Sequence, residues 1–95
     1  MRIGSIRHEA LRRFAESGSP QGLPAGSVDR LRKMLAYLSL IEADEELHVP
    51  PNFGAHRLMG DRRGEWVLTV SRNWRLTFRI DAAGVIGDMD LEDYQ

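Results

Sequence analysis

The sequence contains no cysteine, and this absence removes several kinds of chemistry at once. Disulfide scaffolds, thiolate zinc sites, iron–sulfur clusters and cysteine nucleophiles are all excluded. Long apolar stretches are also missing, and the arginine-rich start of the chain has no apolar core of the kind that a secretory signal needs. We therefore expect no membrane contact, no secretory leader and a cytoplasmic protein.

The length and the histidine content leave little room for a cofactor. Ninety-five residues fit one domain, residues 1–95, which buries a modest core without an enclosed cofactor cavity beside it. The three histidines are scattered without ligand spacing, and the carboxylates cluster in runs that look solvated. We therefore expect neither a cofactor nor a metal, and a chemistry of hydroxyl, carboxylate, imidazole and guanidinium groups.

Charge is distributed unevenly along the chain. All 13 basic residues lie within residues 1–80, whereas residues 81–95 hold five acidic residues and no basic one. The basic part suits a surface that meets phosphates, although mixed-charge hairpins of soluble domains are usually just solvated. Nucleic acid is therefore one candidate partner. Its candidate contacts are Arg57, Arg62, Arg63, Arg72 and Arg79.

Two helices are expected in the first half of the chain. In the first, Leu11 and Phe14 have helical spacing between Ser5, a suitable N-cap, and Gly18, a suitable stop. Residues 18–26 are rich in glycine and proline and predict a loop. A longer helix follows the cap Ser27, because apolar residues recur at helical spacing. An acidic cluster over residues 42–46, followed by residues 49–52 with two prolines, is expected to end helical structure. These apolar residues are Val28, Leu31, Met34, Leu35, Leu38 and Ile41.

The second half predicts an antiparallel sheet. Apolar and polar residues alternate over 65–71 and 74–80, on either side of a turn at Arg72 and Asn73. A further strand is expected from Val85 to Leu91, with Val85 and Met89 on one parity, and a shorter one from Ala55 to Met59. The fold class is therefore α+β, with two N-terminal helices packed on a twisted, mainly antiparallel sheet. The expected contact joins Leu31, Leu35 and Leu38 to Trp66, Leu68, Leu76 and Phe78.

The predicted sheet leaves one face exposed, and this face carries Arg75, Thr77 and Arg79. The strand with His56 and the chain end at residues 93–95 are expected near it. Such groups suit RNA cleavage without a metal, in which a base activates the ribose 2'-hydroxyl, a cation steadies the phosphate and an acid protonates the leaving oxygen. Each signal alone is weak, since His56 also fits a strand-edge role and Tyr94 a simple anchor. The other histidines, His8 and His48, fit surface or capping roles.

Three stretches resemble motifs of a known family. Residues 56–66 read HRLMGDRRGEW, residues 73–79 read NWRLTFR, and residues 92–95 read EDYQ. They are similar to LHPLKGDRxGYW, NWR(I/L)TF and EDYH in the HigB branch of the RelE/ParE toxin superfamily. The similarity extends to the loop at residues 14–18 and the second helix, and thus covers essentially the whole chain.

The resemblance implies a bacterial type II toxin with the RelE-like, microbial-ribonuclease-like fold, which cuts mRNA in the A site of the 70S ribosome. It implies a HigA-like helix-turn-helix antitoxin, operator DNA bound only through that antitoxin, a monomer alone and a heterotetramer in the complex. It makes His56 and Asp93 the acid and base, Arg75 the stabiliser of the phosphate, and Tyr94 a base-stacking residue. Candidate antitoxin contacts on the helices are Arg12, Arg13, Asp29, Arg30 and Lys33.

Three departures from the family motifs bear on the activity. Met59 replaces a lysine, Arg57 replaces a proline, and Gln95 replaces the terminal histidine. An amide cannot shuttle a proton, so three readings stay open: His56 and Asp93 suffice, the terminal carboxylate substitutes, or the protein is slow or inactive. The last reading makes a non-catalytic binding module in operator regulation the main alternative. A gyrase-directed toxin, as in the ParE branch, ranks behind both.

Overall fold

The computed structural model describes residues 1–49 and 53–94. Helix α1 spans Glu9–Ser17 and begins after the predicted start. Its N-cap is His8, whose Nδ1 accepts a hydrogen bond from the backbone N–H of Leu11 at 3.2 Å, so the capping role of His8 is confirmed and the predicted cap Ser5 is wrong. Gly18 ends the helix at a φ of 79°, as predicted.

The segment before α1 belongs to the sheet and not to the helix. Ile3 and Ile6 form parallel bridges with Ile86 and Met89. These contacts join residues far apart in sequence, so the local helical pattern of residues 5–8 gave no sign of them. Among the described residues 1–49 and 53–94, no helix is long and apolar enough to cross a membrane.

Helix α2 spans Val28–Leu40 and begins after Ser27, as predicted, although the Ser27 side chain makes no capping hydrogen bond. At the other end of the helix, the α-amino group of Met1 donates to the carbonyl oxygens of Leu38 at 2.9 Å and Ser39 at 3.2 Å. A positive charge at this position is favourable, because the carbonyl groups at a helix C-terminus carry partial negative charge. Helix α2 ends at Leu40, ahead of the predicted end of helical structure at residues 49–52, of which residues 50–52 lie outside the described residues.

Four strands form one antiparallel sheet in the order β1-β2-β3-β4. They are β1 His56–Arg57, β2 Trp66–Thr69, β3 Trp74–Ile80 and β4 Ile86–Asp93. The α+β prediction is therefore confirmed, while the first strand is shorter than predicted. The leucines of α2 and the inward residues of β2 and β3 share one buried cluster, as expected: Leu31, Leu35, Leu38, Trp66, Leu68, Leu76 and Phe78. Each fully buried leucine contributes roughly 1.5–3 kcal/mol.

Strand β4 contains a bulge. Asp88 has a φ of 51°, and the register against β3 shifts at this point. An extra residue reverses the inward and outward alternation, so Ile86 and Met89 are both fully buried although they are three residues apart. The predicted shared parity of Val85 and Met89 is therefore wrong, and Val85 is only partly buried.

The second face of the sheet is covered at its centre. Val67 and Thr77 pair across β2 and β3, and both are fully buried. The predicted exposure of Thr77 is therefore wrong. The reason lies on the neighbouring strand, where Glu92 accepts a hydrogen bond from the Thr77 hydroxyl at 2.8 Å. An ionic cluster thus occupies the area that alternation alone assigned to solvent.

Candidate functional site

The register of the sheet brings His56 and Arg75 to the same face. His56 pairs with Val67, which pairs with Thr77, and directly paired residues of an antiparallel sheet point to one side. Arg75 lies two residues before Thr77 and therefore shares this side. Strand spacing and rise separate the Cα atoms of His56 and Arg75 by roughly 12 Å.

His56 is exposed, and one contact fixes its ring. Nδ1 lies 3.0 Å from the carbonyl oxygen of Gly54. A carbonyl oxygen can only accept a hydrogen bond, so Nδ1 carries the proton in this contact and Nε2 of the neutral ring carries the lone pair. The ring is therefore oriented with an acceptor nitrogen that can take a proton from a substrate hydroxyl.

The carbonyl that holds His56 belongs to a glycine that no other residue can easily replace. Gly54 has a φ of 67°, and a Cβ at this position would lie 2.9 Å from Oγ1 of Thr69. Thr69 also donates its backbone N–H to the carbonyl of Phe53 at 2.8 Å. The close approach of this loop to β2 therefore sets the position of His56 at the sheet edge.

Arg30 of α2 fastens the same loop to the helix layer. Its Nε and Nη2 both donate to the carbonyl oxygen of Thr69, at 3.0 and 2.8 Å, and its guanidinium carbon lies 5.2 Å from the centre of the Phe53 ring. This geometry combines a two-point hydrogen bond with a cation–π contact. Arg30 is thus used within the fold, whereas the sequence suggested an antitoxin contact for it.

Arg75 is held on two sides. Its Nη2 donates to Oε1 of Glu92 at 3.2 Å, and its guanidinium carbon lies 5.5 Å from the centre of the Tyr94 ring. The side chain is only 21% exposed, and its Nε is buried without a hydrogen-bond acceptor among the described residues. Arg75 is therefore a partly desolvated cation in a fixed orientation, which suits the stabilisation of a phosphate.

Glu92 is the centre of the ionic cluster beneath Arg75. It accepts hydrogen bonds from Nη1 of Arg62 at 2.8 Å, from Nη2 of Arg62 and from the hydroxyl of Thr77 at 2.8 Å. The hydrogen bonds from Arg62, which outweigh the opposing effect of burial, lower the pKa of Glu92 from 4.5 to about 2. Glu92 is thus a carboxylate at every physiological pH.

Arg62 joins Glu92 to a second carboxylate. Its Nε and Nη2 donate to the two carboxylate oxygens of Glu65, at 2.8 and 3.0 Å. Hydrogen bonds to Glu65 and then to Glu92 raise the pKa of Arg62, and the same contact with Arg62 lowers the pKa of Glu65. The guanidinium predicted to contact RNA is therefore already occupied by carboxylates within the fold.

The four other arginines predicted to contact RNA have exposed side chains: Arg57, Arg63, Arg72 and Arg79. Arg79 shares Glu65 with Arg62, because its Nη2 lies 3.7 Å from Oε2 of Glu65. Arg57 lies over the Trp66 ring with its guanidinium carbon 4.9 Å from the ring centre, and thus on the parity opposite to His56. Their predicted contacts with RNA are not tested by this geometry and stay predictions.

The last described residues of the chain place their side chains on alternate faces of the sheet. Asp93 is exposed and pairs with Trp74, whereas its neighbour Glu92 pairs with Arg75. Since side chains alternate along a strand, Asp93 is directed away from the side that holds Arg75. Tyr94 returns to the Arg75 side and is 45% exposed. The predicted catalytic residue Gln95 lies outside the described residues.

The structure therefore places three of the predicted catalytic residues, His56, Arg75 and Tyr94, on one face of the sheet. Sequence reasoning did not assign a role to Glu92 or identify Thr77 as its partner. The signal was present in the run Glu92-Asp93-Tyr94, but only the strand register shows which of its two acids faces the arginine. Among the described residues, no group of three His, Asp or Glu side chains could hold a metal ion.

Fold and site together define a small α+β protein of the RelE-like toxin class. The chain matches over residues 4–94 the family model described as RelE-like toxin of type II toxin-antitoxin system HigB, and it belongs to this family. It is also 36% identical over 95 residues to Endoribonuclease HigB of Proteus vulgaris, in an alignment that covers 97% of this chain and 98% of the relative. The resemblance inferred from the three sequence motifs is thereby confirmed.

Proposed function

We propose that this HigB-family toxin is an endoribonuclease that cuts mRNA in the ribosomal A site and is neutralised by a HigA-like antitoxin. The observation that carries the proposal is the shared face of His56, with its acceptor Nε2, and Arg75, with its fixed guanidinium. The 36% identical relative named an endoribonuclease supports RNA cleavage. The basic surface between residues 53 and 80 supports an RNA substrate.

In the proposed reaction, Nε2 of His56 takes the proton of the ribose 2'-hydroxyl. The 2'-oxygen then attacks the adjacent phosphorus, and the bond from phosphorus to the 5'-oxygen of the next nucleotide breaks. Arg75 stabilises the negative charge that develops on the phosphoryl oxygens. A water molecule or Asp93 donates a proton to the leaving 5'-oxygen, and the products carry a 2',3'-cyclic phosphate and a 5'-hydroxyl. Asp93 is the other predicted acid or base, although its parity makes it the weaker candidate for the first proton transfer.

The substrate would be held by stacking and by charge. The half-exposed Tyr94 ring offers a face on which a base of the message stacks. The four exposed arginines, Arg57, Arg63, Arg72 and Arg79, are the proposed contacts with the phosphate backbone. We expect the toxin to act in the cytoplasm as a monomer and to form a heterotetramer with its antitoxin, which would bring it to operator DNA.

The second candidate function is a catalytically inactive binding module that acts through its antitoxin in operator regulation. The observation in its favour is Gln95, which stands where the family motif has a histidine. A side-chain amide cannot donate and recover a proton, and proton transfer contributes typically about 10²- to 10⁴-fold to a rate. Restoring this group in the variant Gln95→His separates the two candidates.

Controlled expression in bacterial cells tests the proposed function. We expect the wild-type chain to arrest growth, the variant Arg75→Ala to permit growth, and co-expression of the HigA-like antitoxin to relieve the arrest. The variant Arg32→Ala is a control that removes an arginine of α2 whose contacts, with Asp29 at 2.7 Å and with the Phe14 ring at 5.5 Å, lie outside the proposed site. Full toxicity of an Arg75→Ala protein would show that the proposed mechanism is wrong.

A further inference from the structure

Five charged side chains form one connected cluster beneath the proposed phosphate site. Contacts between nitrogen and oxygen atoms of 4.0 Å or less link the cations Arg62, Arg75 and Arg79 to the carboxylates Glu65 and Glu92. Three positive and two negative charges leave the cluster with one net positive charge. The affinity of the cluster for a phosphate depends on which of the three cations carries this uncompensated charge.

We infer that Glu92 and Arg62 are positioning residues for Arg75. Glu92 fixes the orientation of the Arg75 guanidinium, and Arg62 compensates the charge of Glu92 so that Arg75 remains able to attract a phosphate. This inference rests on the proposed function, in which Arg75 stabilises the phosphate.

The contacts of Glu92 are unequal, and the inequality supports this division of roles. Arg62 binds both carboxylate oxygens of Glu92 through two guanidinium nitrogens. Arg75 reaches the same carboxylate with one nitrogen only, at the longer distance of 3.2 Å. Because paired hydrogen bonds between guanidinium and carboxylate are the stronger kind, Arg62 compensates most of the negative charge. Arg75 is tethered by Glu92 without being neutralised by it.

The position of Glu92 is fixed by a hydrogen bond from β3 and by the strand register. The buried Thr77 hydroxyl donates to Oε2, and the register places Glu92 directly opposite Arg75. The carboxylate therefore cannot easily follow Arg75 if that side chain moves. A fixed acceptor restricts the guanidinium to one orientation before substrate binds. The entropic cost of ordering Arg75 in the transition state is therefore lower.

Arg62 is thereby reassigned from RNA contact to internal counter-charge. Its Nε, Nη1 and Nη2 all donate to carboxylate oxygens of Glu65 and Glu92. A phosphate would have to displace a carboxylate from Arg62. The exposed arginines do not face that competition to the same degree, so they are better placed to bind RNA.

Opposite changes in binding and cleavage distinguish positioning from a merely structural role. In the variant Glu92→Gln the cluster gains one net positive charge, and the amide oxygen still accepts from Thr77. RNA should therefore bind equally well or about 2- to 5-fold more tightly, whereas cleavage should fall about 10- to 100-fold because Arg75 loses its fixed partner. In Arg62→Gln, Arg75 becomes the main counter-ion of Glu92 and its positive charge is neutralised. Both RNA binding and cleavage should therefore weaken.

The experiment measures single-turnover cleavage of mRNA on programmed ribosomes over a range of toxin concentrations. The proteins are wild type, Glu92→Gln, Arg62→Gln, the double variant and Glu45→Gln, a control that removes the same charge at an exposed position. We expect Glu92→Gln to lower the maximal rate without raising the half-saturating concentration. The double variant should bind like wild type but cleave slowly. A Glu92→Gln protein that cleaves at the wild-type rate would overturn the inference.

A second measurement reports on the orientation of Arg75 without relying on catalysis. Its buried Nε–H should give a sharp side-chain NMR signal, assigned by its loss in Arg75→Lys. We expect the signal to broaden or vanish in Glu92→Gln and to persist in Glu45→Gln, in samples whose circular dichroism shows an intact fold. If wild type makes no cuts, the proposed function fails, and the NMR signal still decides the positioning role: its persistence in Glu92→Gln contradicts that role and its loss supports it.

Discussion

The hydroxyl of Thr77 lies 2.8 Å from Oε2 of Glu92 on the neighbouring strand and donates a hydrogen bond to it. Thr77 is fully buried, although its place in the alternating pattern of β3 suggests exposure. A neutral hydroxyl and a carboxylate thus form part of the interior on the side of the sheet opposite the helices. The proposed active site is built on this second, polar interior.

Replacing Thr77 by valine should destabilise the protein although the two side chains have similar shape. The carboxylate of Glu92 would lose a donor, and hydrogen bonds to charged groups contribute about 1.5–3 kcal/mol. We expect a decrease in Tm of roughly 5 °C or more for a chain of this size. Thermal unfolding measures the change. Thr69→Val serves as the control, because Thr69 is only partly buried, and equal decreases in Tm for both variants would contradict the account.

Acid should destabilise the fold through Glu92. Its pKa is lowered from 4.5 to about 2 by hydrogen bonds from Arg62 and Thr77. A carboxylate with a lowered pKa in the folded state stabilises the fold above its unfolded pKa, and this contribution is lost as pH falls from about 4.5 through 2. The contribution at neutral pH is at most about 3 kcal/mol, and solvent around the partly exposed carboxylate reduces it.

Chemical unfolding at a series of pH values between about 6 and 2 tests this dependence on Glu92. The free energy of unfolding of wild type should decline on the acid side, and the decline should be shallower in Glu92→Gln. The control Glu45→Gln should follow wild type. Parallel curves for wild type and Glu92→Gln would show that Glu92 is not the group responsible.

The variant Gly54→Ala should impair both stability and cleavage. A φ of 67° is unfavourable for alanine, and its Cβ would meet Oγ1 of Thr69 at 2.9 Å. The left-handed backbone alone costs roughly 1–2 kcal/mol, and the clash displaces the carbonyl that orients His56.

Gly26→Ala is the matched control for Gly54→Ala. Gly26 also has a positive φ, of 82°, but a Cβ added there would meet no atom within 4 Å. Both variants should lose stability, but only Gly54→Ala should lose cleavage measured well below its Tm. Equal cleavage by the two variants would mean that the loop does not position His56.

The two predicted acid or base residues should differ in importance. His56→Gln removes the nitrogen that accepts the proton and should slow cleavage by about 10²- to 10⁴-fold. Asp93→Asn should have a smaller effect, because Asp93 pairs with Trp74 and has the parity opposite to Arg75. Single-turnover rates on ribosome-bound mRNA compare them. A larger loss in Asp93→Asn than in His56→Gln would reverse the assignment.

The sequence predicted the elements that depend on local pattern. Helix α2 has a continuous apolar stripe, and β3 alternates strictly over residues 74–80, so both were found near their observed positions. The start of α1 was missed because Ile3 and Ile6 bridge to β4, a contact between distant parts of the chain. The bulge at Asp88 was missed for a similar reason, since strand pairing and not composition reverses the parity there.

The candidate site was predicted in part. The family motifs placed His56, Arg75 and Tyr94 together, and the fold brings them to one side of the sheet. The roles of Arg62 and Glu92 were not apparent, because an arginine in a basic stretch looks the same in sequence whether it meets RNA or a carboxylate. Only the register that sets Glu92 opposite Arg75 distinguishes the two.

Mapping of mRNA 5' ends on programmed ribosomes incubated with the purified toxin tests the central claim most directly. We predict cuts within the A-site codon by wild type and no cuts by Arg75→Ala. The absence of wild-type cuts, with activity appearing only in Gln95→His, would contradict the account and favour a regulatory binding role. Equal cutting by wild type and Arg75→Ala would also contradict it.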